Sequence, residues 1–223
     1  MGNQEPDTAL RDGAGLPAHE RVYRRLRTMV LFGELEPGQA VTIQGLTDQL
    51  GVGMTPVREA LRRLIAEGAL AFQDNRRICV PVLDAAAVEQ LGLARAALEP
   101  ELARRAATRA TADDIARLRA TDARLDRAIA RGDVAGYLTQ NHRFHAELNA
   151  IAEAPILTDM VDGLWLRFGP SLRVVCGLFG TRNLPDRHKD LLAALDARDS
   201  AAAAEAMHQD VSQGMAQIRA GLE

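Results

Sequence analysis

A mainly α chain, with a small N-terminal helical unit ending in a short β-hairpin and a larger all-α antiparallel helical bundle behind it, is the architecture this sequence predicts. Three observations carry that reading. Helix caps and stops punctuate residues 18–68 at close intervals; two short apolar runs flank a polar turn in residues 69–82; and from Asp84 onward apolar residues recur at helical spacing, with abundant alanine and few aromatics.

The first helix is expected over residues 18–32, where Val22, Leu26 and Val30 form one stripe, and Glu36-Pro37-Gly38 makes the turn after it. A second helix carries Leu46 and Leu50 and stops at Gly51, and Val52-Gly53-Met54 forms a bend. Thr55 is expected to cap a third helix with Pro56 at its first position, where a missing N–H costs nothing. That helix runs to a stop at Gly68 with Val57, Ala60, Leu61 and Leu64 on one face, so Arg58, Arg62 and Arg63 project from the others. Residues 69–73 and 78–82 read as strands joined through Asp74-Asn75-Arg76-Arg77, residue types suited to a turn. Two helices at a tight glycine bend, followed by a hairpin with arginines at its tip, make a winged helix-turn-helix, and double-stranded DNA is the first partner to expect.

The 223 residues suffice for two modest domains, and a composition 47% hydrophobic and 26% charged argues against disorder. The expected division is a disordered tail at 1–17, a DNA-binding unit at 18–83 and a helical dimerisation unit at 84–223, to which the resemblance given below adds effector binding, with the two units joined tightly at Leu83-Asp84. No run of eighteen apolar residues occurs, and the N-terminus lacks the basic and apolar regions of a signal peptide, so a cytoplasmic protein with no membrane partner is expected. Cys79 and Cys176 lie far apart in the chain and are expected to be reduced. The net charge is -3, and residues 18–83 hold nine arginines against seven acids. So small a basic excess argues for a homodimer that presents two sets of contacts to a palindromic site.

In the second unit, helices are expected at 84–109, 112–130, 133–151, 155–179, 185–198 and 200–221, punctuated by Gly132, Pro155, Pro185 and Asp199, with a bend at Pro100. Apolar stripes run through Leu91, Leu98 and Leu102, through Ile115, Leu118, Leu125 and Ile129, and through Ile156, Met160, Leu164 and Phe168. Asn141 and His145, four residues apart, share a helical face, and His188 and His208 stand on the last two helices. Three imidazoles and one oxygen donor suit a divalent transition metal such as Zn²⁺ or Ni²⁺, if packing brings them within about 2.0–2.2 Å of one point. His142 points about 100° away from Asn141 and reads as a surface or supporting residue.

The residues P-G at 37–38, L-x-x-x-L-G-V, T-P-V-R-E-A-L-x-x-L-x-x-E-G and the basic hairpin resemble the DNA-binding domain of the GntR family of bacterial transcription regulators. Arg95-x-x-Leu98-Glu99, N-H-R-F-H at 141–145, His188-x-x-Leu191-Leu192-x-Ala194-Leu195 and Met207-His208 resemble the effector domain of its FadR subfamily, the FCD domain, in the six-helix VanR-like branch. The resemblance implies that Arg58 reads a guanine, that Thr55 and Arg62 touch phosphates, and that Arg76 and Arg77 enter or border the minor groove. Gln44 stands where family members carry an arginine before the turn, and Gly53-Met54 stands where many carry Ser-Arg or Thr-Arg.

For the second unit the resemblance implies a metal held by Asn141, His145, His188 and His208. Metal-binding members commonly have an aspartate where this chain has Asn141, so that amide either ligates directly, acts through water or hydrogen-bonds the effector. A small carboxylic acid would complete the coordination of the metal or pair with Arg95, and would release a repressor from its operator. Two other readings stay open: a ligand-independent DNA-binding dimer with structural histidines, and a metal-dependent enzyme in which Glu147 or Asp210 approaches the histidines as a general base. The lack of H-E-x-x-H and of a serine nucleophile elbow speaks against catalysis.

Overall fold

The computed structural model describes residues 15–73, 77–181 and 186–222. Most of the expected tail, the hairpin tip at 74–76 with Arg76, and Pro185 lie outside the described residues.

The N-terminal unit runs α1 (Ala18–Leu31), β1 (Ala40–Val41), α2 (Ile43–Leu50), α3 (Met54–Ala66), β2 (Ala71–Gln73) and β3 (Arg77–Cys79). The expected stripes meet in its core: α1 buries Val22, Leu26 and Val30 and packs on α3, which buries Val57, Ala60, Leu61 and Leu64. Gly51 closes α2 in the left-handed conformation at φ 64°, which glycine adopts without strain. The start of α3 corrects the expectation. Gly53, not Thr55, occupies the cap and no side chain closes it, so Thr55 and Pro56 both sit in the first turn, where backbone N–H groups have no helical partner anyway. Thr55 is thereby exposed to solvent. Strand β1, too short to leave a periodic signal, was not foreseen. It pairs antiparallel with β3, which also pairs with β2, in the order β1-β3-β2, with Ala40 and Ala71 both opposite Cys79.

The second unit contains α4 (Ala85–Arg109), α5 (Ala112–Arg131), α6 (Val134–Ile151), α7 (Pro155–Phe179), α8 (His188–Asp196) and α9 (Ser200–Ala220). Local chemistry starts these helices: Asp84 accepts from the Ala87 amide at 2.7 Å, Thr111 and Asp114 form a capping box, and Asp133 and Asp199 cap α6 and α9. Helix α4 continues through Pro100, and its most extensive partner is α9.

The expected face of α7 needs correction. Ile156 and Met160 are 77% and 54% exposed, and the buried side chains are Val161, Trp165, Leu166, Phe168, Leu172 and Val175. This helix is apolar on two faces, and the bundle takes the one with the large aromatics. Helix α7 also meets α1. A Cβ on Gly169 would lie 2.2 Å from the Leu31 carbonyl oxygen, and one on Gly33, itself at φ 64°, would lie 2.7 Å from Arg173 side-chain carbons. Nearby, Arg167 Nε donates to the Glu67 carbonyl at 3.4 Å, at the far end of α3.

Candidate DNA-binding face and metal centre

On the first unit, Arg58 and Arg62 project from α3 exposed to solvent and make no ion pair among the described residues. Arg63 differs: its guanidinium lies 3.5 Å over the Tyr23 ring and pairs with Glu20 and Glu67, each at 3.1 Å, so it joins α1 to α3. Gln44 is exposed on α2 and donates to Asp48 at 2.8 Å, and Arg77 is exposed at the start of β3. Phe72, which the sequence presents as part of an apolar strand, is 63% exposed. It lines a shallow groove with Ile43, Ile65 and Ile78, bounded by Arg58 and Arg62. Only the strand register reveals that this ring faces outward.

In the second unit, Asn141 and His145 on α6 and His188 at the start of α8 are all buried. One donor atom each from His145, His188 and Asp210 lie within 4.8 Å of one another. His145 Nε2 is 3.3 Å from Asp210 Oδ2, and its Nδ1 is 3.4 Å from Glu99 Oε2. His188 Nδ1 is 3.3 Å from Asp122 Oδ1, and Asp122 is in turn held by Lys189 at 2.8 Å. Each imidazole therefore has a buried carboxylate beside Nδ1, the arrangement that orients a histidine ligand and raises its basicity. Asp210 accepts from the Arg187 amide at 2.9 Å, and the Phe144 ring stacks on His188 at 3.8 Å.

Arg95 lies in the same layer. It donates to Glu99 at 2.5 and 3.2 Å and lies 4.2 Å over Phe168 and 4.9 Å over Trp165. Arg95, Tyr137, Asn141, His145, Trp165 and Asp210 line a cavity of about 30 Å³. Such a space holds on the order of two water molecules.

The electrostatics follow from burial and pairing. Burial disfavours a charged His145, but the carboxylates of Asp210 and Glu99 outweigh it and raise its pKa to about 9. Burial pushes the Asp210 and Glu99 carboxyls up, yet His145 for the former, and Arg95 and His145 for the latter, bring both below the usual range. Neither ring nitrogen of His188, nor Asp122 Oδ1, makes a hydrogen bond among the described residues. Orphaned buried polar atoms of this kind cost about 1–3 kcal/mol each, and a dication between the two imidazoles and Asp210 would take up the lone pair of the second His188 nitrogen, the one not facing Asp122. The residues present thus fit a divalent metal.

His208 is not part of this cluster. It is exposed on α9, whose inner face carries Ala203, Met207, Val211, Met215 and Ile218. His208 follows Met207 by one residue and turns about 100° away, whereas Asp210 lies three residues past Met207, beside the inner stripe. The apolar periodicity of the last helix carried that signal, and the attraction of a third histidine masked it. Of the two places open to His142, surface or supporting, it takes the second. It is half-buried, edge-on to Phe32 of α1 at 5.7 Å and to Trp165 of α7 at 5.2 Å, and burial lowers its pKa to about 4. Trp165 in turn lies 5.0 Å from the His145 ring. Glu147 is engaged by Thr121 and Arg143, at 2.9 and 2.7 Å.

Comparison with known proteins agrees with both halves. Residues 18–80 match the model for bacterial regulatory proteins of the gntR family, and residues 90–213 match the FCD domain. The chain is 30% identical over 199 residues to the HTH-type transcriptional regulator McbR of Escherichia coli K12, spanning 86% of this chain and 90% of that protein. It is 27% identical to the HTH-type transcriptional repressor RspR of the same organism, with 91% of each chain covered. The solved structure of E. coli McbR/YncC superposes with a TM-score of 0.87 at 27% identity, covering 93% of this chain and all of that one. These relatives are transcriptional regulators rather than enzymes, and no helix among the described residues is long and apolar enough to cross a membrane. An exposed arginine-bearing helix beside a short hairpin, set against a helical bundle with a buried histidine-carboxylate cluster, accordingly makes this chain a member of the GntR family of DNA-binding transcription regulators with an FCD effector domain.

Proposed function

We propose that the protein is a cytoplasmic, homodimeric repressor whose grip on its operator is set by a divalent transition metal and a small carboxylic acid in the α4–α9 bundle. The convergence of His145, His188 and Asp210, with buried nitrogens left unpaired, carries this reading. The bundle of six helices, α4 to α9, supports placement in the VanR-like branch, and the repressor among its relatives supports the direction of control. The exposed Ile156, Met160, Val174 and Leu178 of α7 offer an apolar face for a second copy.

His145, His188 and Asp210 would hold the metal, and Asn141 lines a cavity with His145 and Asp210. When bound, the ion supplies a Lewis-acidic anchor for a carboxylate. Arg95 is already committed to Glu99, so the metal is the stronger anchor of the two, and an acid too large for two water sites enters by displacing side chains such as Trp165 and Tyr137. Trp165 moves against His142, and His142 moves against Phe32 at the end of α1. A packed, contiguous route of this kind lets a small shift in the bundle reorient the DNA-binding unit, which costs several half-site contacts at once.

Operator affinity of metal-loaded and chelator-stripped protein, read by fluorescence anisotropy, tests the proposal. The ratio of the two is expected to be about fivefold or more, and to collapse toward unity in His142→Ala while metal content stays that of the parent. Equal affinities with and without metal and acid would instead favour a ligand-independent dimer. On the DNA side, Arg58→Ala is expected to weaken operator binding by about 1–3 kcal/mol and relax base preference at one position. An unchanged selectivity profile across operator variants would remove Arg58 from base readout.

A further inference from the structure

We infer that Asp210 shifts the metal preference of the centre away from zinc and nickel and toward harder divalent ions, manganese and iron(II), relative to a three-histidine centre. This deepens the proposed metal centre and rests on it.

The donor set is the first observation. The sequence promised three imidazoles, and the structure supplies two imidazoles and a carboxylate, because Asp210 lies beside the inner face of α9 and His208 does not. Imidazole-rich sites suit zinc and nickel, whereas two histidines and one carboxylate with open positions suit iron(II), and added oxygen donors suit manganese.

The surroundings are the second. The further side chains at this cavity with atoms able to complete a coordination sphere offer oxygen: the Asn141 and Gln217 amides, the Asp186 carboxylate and the Tyr137 hydroxyl, with room for on the order of two waters. Neither group of metal-competent side chains among the described residues, His145 with His188 and Asp210, or Asp122 with Asp186 and the same His188, contains a cysteine. Met215 Sδ is taken up by Arg95 Nη1 at 3.5 Å. The two imidazole nitrogens and Asp210, with three of these oxygens or waters, would make six positions, which suit an octahedral ion better than a tetrahedral one.

Charge is the third. Arg95 neutralises Glu99, and Lys189 pairs with Asp122 and with the more exposed Asp126. The carboxylates of Asp186 and Asp210 remain at the cavity, and together they match a dication. The Arg95 pair with Glu99 and the Lys189 pair with Asp122 place carboxylates beside Nδ1 of His145 and of His188, so that Nε2 of each ring is the nitrogen available inward.

The test uses the full chain, stripped with a chelator and titrated separately with Mn²⁺ and Zn²⁺ against a metallochromic indicator. Zinc binds more tightly in absolute value in any such site, so the quantity read is the zinc-over-manganese affinity ratio. Asp210→His is expected to raise that ratio by roughly tenfold or more. Asp210→Asn keeps the shape and removes the charge, and serves where Asp210→His does not fold by circular dichroism; it is expected to weaken manganese more than zinc. Metal binding by the parent with an unchanged ratio in the folded variants would overturn this inference alone. A parent that binds neither ion would overturn it together with the metal centre beneath it.

Discussion

Gly169→Val is expected to destabilise the protein by about 3 kcal/mol or more, seen as a fall in Tm of roughly 6–12 °C for a chain of this size. The reason is geometric. The added Cβ would sit 2.2 Å from the Leu31 carbonyl oxygen, 3.1 Å from its carbon and 3.3 Å from its Cα. These are backbone atoms at the end of α1, and no flexible side chain can swing aside to relieve the overlap. Helix α1 and helix α7 must therefore part, and with them Phe32 and His142, so the response of operator affinity to metal is expected to fall as well. Gly163 on the same helix is the control. A Cβ there meets nothing within 4 Å, and Gly163→Ala is expected to stabilise by up to about 1 kcal/mol through helix propensity. Equal effects at the two glycines would show that the approach of α1 to α7 is not tight in solution.

Arg95→Ala is expected to cost about 3–5 kcal/mol, measured by denaturant unfolding in the absence of any ligand. Arg95 is 4% exposed and Glu99 fully buried, so truncating the arginine strands a carboxylate inside the bundle. The lost stacking on Phe168 and Trp165 adds to the cost. Replacing both partners, as in Arg95→Met with Glu99→Gln, is expected to recover most of the loss, because no unpaired charge then remains. A single variant with parental stability would mean that Arg95 is free to serve the effector alone; a double variant as unstable as the single would mean that packing, and not charge, dominates the site.

The helices of this protein are legible because their signals are local. Asp84, Thr111, Asp133 and Asp199 announce four helix starts through side-chain bonds to amides two or three residues away, and Gly51 and Gly132 announce two stops through a left-handed backbone. Arg58 and Arg62 could be placed outside the core of α3 because Val57, Ala60, Leu61 and Leu64 define its inner face without ambiguity. His145 and His188 were likewise legible as inward residues.

What the sequence left open are the choices made between elements. Helix α7 offers two apolar faces, and periodicity alone ranks Ile156 and Met160 with Phe168; the bundle selects the face with Trp165 and leaves the other two in solvent. Strand β1 exists only because β3 provides an edge for Ala40 and Val41. On α9, residue identity favoured His208, and helical phase favoured Asp210; phase prevailed, because a rigid helix carries to the interior only what its buried stripe carries. The sequence left His142 as a surface or a supporting residue, and the choice was made by α1 and α7, which close over it with Phe32 and Trp165. Caps, stops and stripes act within a few residues and are written in the chain itself, whereas the partner of each face depends on contacts between residues up to more than a hundred positions apart, which only packing decides.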